Sequence, residues 1–286
     1  MNNKRFSLLL LSVAICCTST AQNLHASVMA GLSNYNGDLH PKFYALSQSK
    51  FHGAIGAKYD MTDKISLRAH FTYGLIGAYD SKSKDAAQKA RNLNFKSSVM
   101  ELHTGAEYHF FSFNDQWWSP YVFAALGVYK FNPKTADGGI ALRNLATEGQ
   151  GIDIKKYKTL QLSIPFGAGF KYALNEDMRV GIEFGFRKTL TDYLDDVSGT
   201  YADAATVLAA GGPLGVDLAW RGDEVGGGTY PSKGTLRGNN NGKDWYYFTA
   251  LTFSVRLVLD KYKRIAGLAT ERKPKKVGCP SSKGIF

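Results

Sequence analysis

Cysteine is almost missing from this sequence. Of three cysteines, Cys16 and Cys17 lie in the first 21 residues, which leaves Cys279 alone in the rest of the chain. A single cysteine forms no internal bridge, so a disulfide framework is excluded. Long apolar runs are missing too. Past the first 21 residues no stretch of 18 or more apolar residues occurs, which excludes a membrane-spanning helix. No HExxH, GxSxG or Walker-type run is present, and no loop has EF-hand spacing. Leucine-rich helical periodicity is scarce. These absences argue against a helical bundle, a disulfide-stapled module, and the enzymes that carry such motifs.

The first 21 residues read as a secretory signal peptide. Lys4 and Arg5 are followed by the 12-residue apolar segment Phe6–Cys17, and Ser19-Thr20-Ala21 supplies small residues before Gln22. Bulky Ile15 before Cys16, and Cys16 before Cys17, fit poorly with lipidation of either cysteine. The expected organisation is a signal peptide over 1–21, a main domain over 22–260 and a basic tail over 261–286. Losing Lys4 and Arg5 lowers the net charge from +11 to +9.

What the chain does contain is glycine and aromatics: 30 Gly, 17 Phe and 16 Tyr. They fall in two-residue alternation, the period of a strand with two different faces. Ile65, Leu67, Ala69, Phe71 and Tyr73 alternate with Ser66, Arg68, His70, Thr72 and Gly74. Leu160 to Tyr172 repeats the pattern, as does Met178 to Phe186, with Arg179, Glu183 and Arg187 opposite the apolar set. Met100, Leu102, Ala106 and Tyr108 oppose Glu101, His103, Glu107 and His109. Tyr247, Leu251, Phe253, Val255 and Leu257 oppose Thr252, Ser254 and Arg256. Weaker strands fall near 24–35, 51–59 and 120–131, which makes eight.

The connections alternate in length. Medium or long loops near 36–50, 77–92, 132–156 and 188–244 alternate with short turns at DMTDK, FSFNDQWW and LNED. Outer-membrane barrels combine short periplasmic turns with long external loops. Tyr59, Tyr108, Phe110, Trp117, Trp118, Tyr121 and Tyr172 fall near the short-turn end, where an interfacial girdle belongs. A soluble lipocalin-like barrel shares the strand number but turns its apolar face inward. The expected fold is therefore all-β: an eight-stranded antiparallel transmembrane β-barrel with a basic periplasmic C-terminal tail, set in the outer membrane among its lipids with both termini periplasmic.

Eight strands enclose only enough room for side chains. With Arg68, Arg179, Arg187 and Arg256 facing Glu101, Glu107 and Glu183, the lumen is expected to be plugged by ion pairs. Function then moves to loops and tail. Residues 260–286 hold eight Lys or Arg and two acids. Lys263, Arg264, Arg272, Lys273, Lys275 and Lys276 suit an acidic partner, and Cys279 suits a disulfide to one. A solvated end and a bystander thiol are the alternatives. Nothing points to a cofactor or to nucleic acid.

One segment, FGFRKTLTDYLDDVSGTY (Phe184–Tyr201), gathers Asp192, Asp195 and Asp196. Three carboxylates so close are a loop anchor, a divalent-ion site or a catalytic pair. No histidine lies in the same loop, so the adopted reading is an anchor at the barrel mouth, in which Asp192 holds loop amides and Arg187 pairs with one of the acids. The glycine-rich runs GGPLGVD and DEVGGGTYP read as flexible loop.

Taken with YNGDL (Tyr35–Leu39), LATEGQG (Leu145–Gly151) and IPFGAGFKY (Ile164–Tyr172), that segment resembles the PorG-like outer-membrane proteins of Bacteroidetes. The resemblance implies a non-enzymatic barrel of the type IX secretion system, associated on its periplasmic side with the ring of PorK and PorN. A surface-binding barrel acting through its long loops is the alternative, and a rim-located enzyme a third.

Overall fold

The computed structural model describes residues 23–41, 46–239 and 242–257. The expected signal peptide and basic tail, with Lys263, Arg264, Arg272, Lys273, Lys275, Lys276 and Cys279, lie outside the described residues. Eight strands close into one antiparallel barrel in sequence order. They are β1 (Leu24–Asn36), β2 (Lys50–Asp60), β3 (Ile65–Tyr79), β4 (Asn94–His109), β5 (Trp118–Lys134), β6 (Leu160–Ala173), β7 (Met178–Thr189) and β8 (Trp245–Arg256). The last strand pairs with the first, from His25 opposite Arg256 to Asn36 opposite Trp245, so no sheet edge is left open.

The faces sort as the alternation requires. Leu67, Phe71, Leu102, Leu162 and Ile182 point outward, and Leu126 and Leu251 are 70% and 71% exposed. Arg68, Lys58, Glu101, Glu107, Lys171, Glu183 and Arg187 are buried inside. A soluble barrel would have the opposite polarity, since a continuous apolar outer band of this extent is stable only in lipid. The chain is a membrane-spanning β-barrel. Trp118 stacks on Phe170 (5.7 Å) and meets Phe111 edge-on (4.9 Å) near the short turns, where an aromatic girdle is useful. Tyr121 does not belong to that girdle. It occupies an inward position of β5, is 1% exposed and donates to Glu183 at 2.7 Å.

The lumen has two storeys. Towards the short turns it is ionic. Arg68 grips Glu183 through two hydrogen bonds (2.8 and 3.0 Å) and reaches Glu107 at 3.0 Å. Glu107 also pairs with Lys58 at 3.0 Å and with Lys171. Glu101 takes His103 (2.8 Å), Arg187 (3.5 Å) and the hydroxyl of Tyr246. Towards the long loops the lumen is apolar. Tyr35, Ile76, Phe95, Val99, Tyr129, Phe131 and Phe248 pack with the loop residues Leu39, Leu142, Tyr157, Leu194 and Val197.

Two helices stand in the long connections. Helix α1 (Ala86–Arg91) is capped by the Asp85 carboxylate, which accepts from the Ala87 amide at 2.7 Å. Helix α2 (Ala204–Ala219) begins at Asp203, whose side chain accepts from the Ala205 amide at 2.9 Å. It therefore includes GGPLGVD, a run whose composition points to flexible loop. Gly and Pro act as more than breakers. Here Gly212 supplies a kink (φ 72°) and Pro213 restarts the helix, where its missing amide costs nothing. Gly211 lets the helix lie directly on the Leu145 carbonyl, 1.8 Å from where a Cβ would stand.

Candidate functional site

The long-loop end is closed by a hydrogen-bonded cap built from the acidic segment and from three other loops. Its focus is Tyr35, the lumen-facing residue near the end of β1. The Tyr35 hydroxyl donates to Asp195 (2.5 Å), and Asp244, which precedes β8, lies 3.2 Å from it. Asp195 also accepts the amides of Val197 (2.9 Å) and Leu39 (3.3 Å), and Asp244 accepts the amide of Leu194 (2.8 Å). One tyrosine thus ties the first strand to both ends of the longest loop.

Asp196 points the other way. Its carboxylate takes the hydroxyls of Thr147 and Tyr157, both at 2.6 Å, and its backbone sits at φ 68°. Arg237 donates to the Asp196 carbonyl (2.7 Å) and to Glu148 (2.9 Å), which also accepts the Ser198 amide (2.9 Å). Asp192 accepts from the Ser198 hydroxyl at 2.7 Å. Arg91 of α1 binds both oxygens of Asp80 (2.7 and 2.8 Å) and donates to the carbonyls of Asp38 (3.2 Å) and Arg237. All four long connections are knitted into one unit.

The three sequence-predicted aspartates therefore diverge to separate partners. Arg187 pairs with none of them. It lies in the lumen on Glu101 at 3.5 Å, because its inward position on β7 aims it down the barrel. Among the described residues no group of three or more His, Cys, Asp or Glu is arranged to hold a metal ion. The histidine–carboxylate ion pairs among the described residues are His25–Asp60, His103–Glu101 and His109–Glu107, all on barrel strands. The arrangement is suited to holding loops together.

Burial dominates the electrostatics of the cap. It pushes Asp196 up to about 6, with Arg237 pulling partly back, and Asp38 up to about 6 as well. Asp195 rises well above the carboxylate range through burial and then the charge of Asp38. Asp244 rises likewise through burial and then Asp195. Sequence reasoning did not assign Asp38, Asp244, Arg91 or Arg237 to this site. The signal that existed was partial: Tyr35 and Asp38 lie in YNGDL, and Thr147 and Glu148 in LATEGQG.

Strand pairing, inverted polarity and a filled lumen define the class: a membrane β-barrel of outer-membrane type with a closed interior and a folded cap. The chain belongs to the family described as "Domain of unknown function (DUF6089)", whose model matches residues 3–212. No curated protein matches the sequence. Among solved structures, Neisserial surface protein A shares 10% identity (TM-score 0.41) over 82% of this chain and 97% of that one. Ail, the attachment invasion locus protein of Yersinia pestis, shares 9% (TM-score 0.40) over 82% and 99%. The outer membrane enzyme PagL shares 12% (TM-score 0.31) over 81% and 99%.

Proposed function

We propose that the protein is a non-catalytic outer-membrane component of the type IX secretion system, set with both termini in the periplasm and contacting a periplasmic ring of PorK and PorN type. The observation that carries this reading is the sealed barrel. Among the described residues the Arg68–Glu107–Glu183 network and the cap fill the lumen with paired side chains, which supports contact with partners over passage of solutes. Three of the four motifs behind the PorG-like resemblance, YNGDL, LATEGQG and the acidic segment, meet in the cap as one hydrogen-bonded unit, which supports reading them as a joint signature. The basic tail offers Lys263, Arg264, Arg272, Lys273, Lys275 and Lys276 to an acidic ring surface, and Cys279 offers a thiol for a disulfide.

Purification of the intact protein from detergent-solubilised outer membrane tests this. Ring proteins are expected to co-purify and to be lost when residues 261–286 are deleted. Undiminished co-purification from the deleted protein removes the tail contact, and absence of ring proteins from both removes the secretion reading. On non-reducing gels, a shifted band in wild type that is absent in Cys279→Ser marks the disulfide. The size of the folded cap favours a second reading, a surface-binding barrel acting through its external loops. Capture of an external ligand with no periplasmic partner selects it.

A further inference from the structure

A cavity of about 510 Å³ opens in the cap between the third and fourth long connections. It is separate from the Tyr35 centre and has no part in the secretion reading. Glu148, Asp153, Tyr193, Ser198, Tyr201 and Lys233 contribute its chemistry, and Gly199, Thr200 and Gly234 contribute backbone. Its volume lies in the range of small-molecule sites, about 300–1,000 Å³.

The charges of this cavity are already paired. Arg237 holds Glu148 at 2.9 Å, and Lys233 holds Asp153 at 3.2 Å. Lys233 is exposed, so its pair lies at the open side of the cavity, and a charged ligand would meet both signs together and gain little net attraction. A neutral ligand rich in hydroxyls can use both signs, accepting from the lysine and donating to the carboxylates, at little desolvation cost. The Tyr193 ring and Ile154 supply apolar surface for the C–H face of a ring. Tyr193 is half-buried and backed by Tyr157 in a parallel stack (4.8 Å, 10°), so its ring is held in place.

The walls are preorganised. The amide of Tyr201 donates to Thr235, the amide of Gly234 to Tyr201, and the hydroxyl of Tyr230 to the carbonyl of Ala202, at 2.9, 2.9 and 3.2 Å. Such a wall pays little ordering entropy when a ligand enters. We propose that this cavity binds a neutral saccharide unit, free or at the end of a glycan, at the long-loop face of the barrel.

The test is titration calorimetry on the full-length protein in a detergent without a sugar headgroup, since a glycoside detergent would occupy the site. Glucose, galactose, mannose and N-acetylglucosamine are compared with charged glucuronate and glucosamine. Maltotriose and chitotriose separate a glycan end from a free sugar by which of the two binds more tightly. At least one neutral sugar is expected to bind at millimolar concentration or below. Tyr193→Ala and Asp153→Ala are expected to weaken it about tenfold or more. Gly199→Trp covers the case in which those variants disturb the cap. Gly199 lines the cavity and a Cβ there stands in open space with no left-handed φ, so an indole is accepted without backbone strain and is expected to abolish binding. No binding by any neutral sugar, equal binding by the charged sugars, or unchanged affinity in Gly199→Trp overturns the proposal.

Discussion

Arg68 shows what a single residue does in this barrel. It is 1% exposed, bridges Glu107 and Glu183, and lies 4.2 Å over the ring of Phe123. Buried ion pairs contribute little net stability against an apolar replacement, but removing one partner strands the other charge. Arg68→Ala is therefore expected to cost about 3–5 kcal/mol, read as a lower urea midpoint for loss of the compact, heat-modifiable form on gels. A joint replacement, Arg68→Met with Glu183→Gln, is expected to recover most of that loss, because Glu107 keeps Lys58 and Lys171 as partners and Gln still accepts from Tyr121. Arg68 was legible as an inward residue from its place opposite Leu67 and Ala69. Its exact partners were less so: Glu107 is its diagonal neighbour across the β3–β4 pairing, but Glu183 reaches it from β7 only after closure.

Elements tell a different story in the wall and in the cap. Every strand follows from two-residue alternation, because lipid outside and charge inside impose opposite demands on successive residues. Helix α2 does not follow from pattern. Its sequence AATVLAAGGPLGVDLA is rich in small residues, and it forms because Asp203 caps it and because Gly211 fits against Leu145. Gly211→Val is expected to push α2 off that backbone while leaving the barrel closed. Limited proteolysis checks this: cleavage between 199 and 239 should accelerate several-fold, with the heat-modifiable shift of the barrel unchanged.

At the scale of the whole molecule, the protein is a lipid-facing wall joined to a water-facing cap, and the cap carries the pH sensitivity. Asp38 and Asp196 are raised to about 6 from an ordinary value of 3.8, and burial raises Asp195 and Asp244 well above that ordinary value too. A carboxylate raised in the folded state binds its proton more tightly there than when unfolded. Its stabilising contribution is full below the unfolded value and is lost as pH climbs through the folded value. The cap is thus expected to tighten in mild acid and loosen from pH 4 towards and beyond 6. Near-UV circular dichroism of the cap tyrosines during urea titration measures it. The midpoint should fall as pH rises across that window, and Asp195→Asn should flatten the dependence.

The sequence by itself determined the wall. The eight strands, their inward and outward faces, the alternation of short and long connections and the charged lumen all follow from local periodicity, which each residue and its immediate neighbours encode. Only the tertiary structure decided the cap. Asp192, Asp195 and Asp196 share a five-residue stretch, yet they bind Ser198, Tyr35 and the Thr147–Tyr157 pair, and Arg187 serves Glu101 in the lumen instead. Partners up to 209 positions apart meet there because barrel closure brings the loop ends of distant strands to one rim. No local pattern records that proximity.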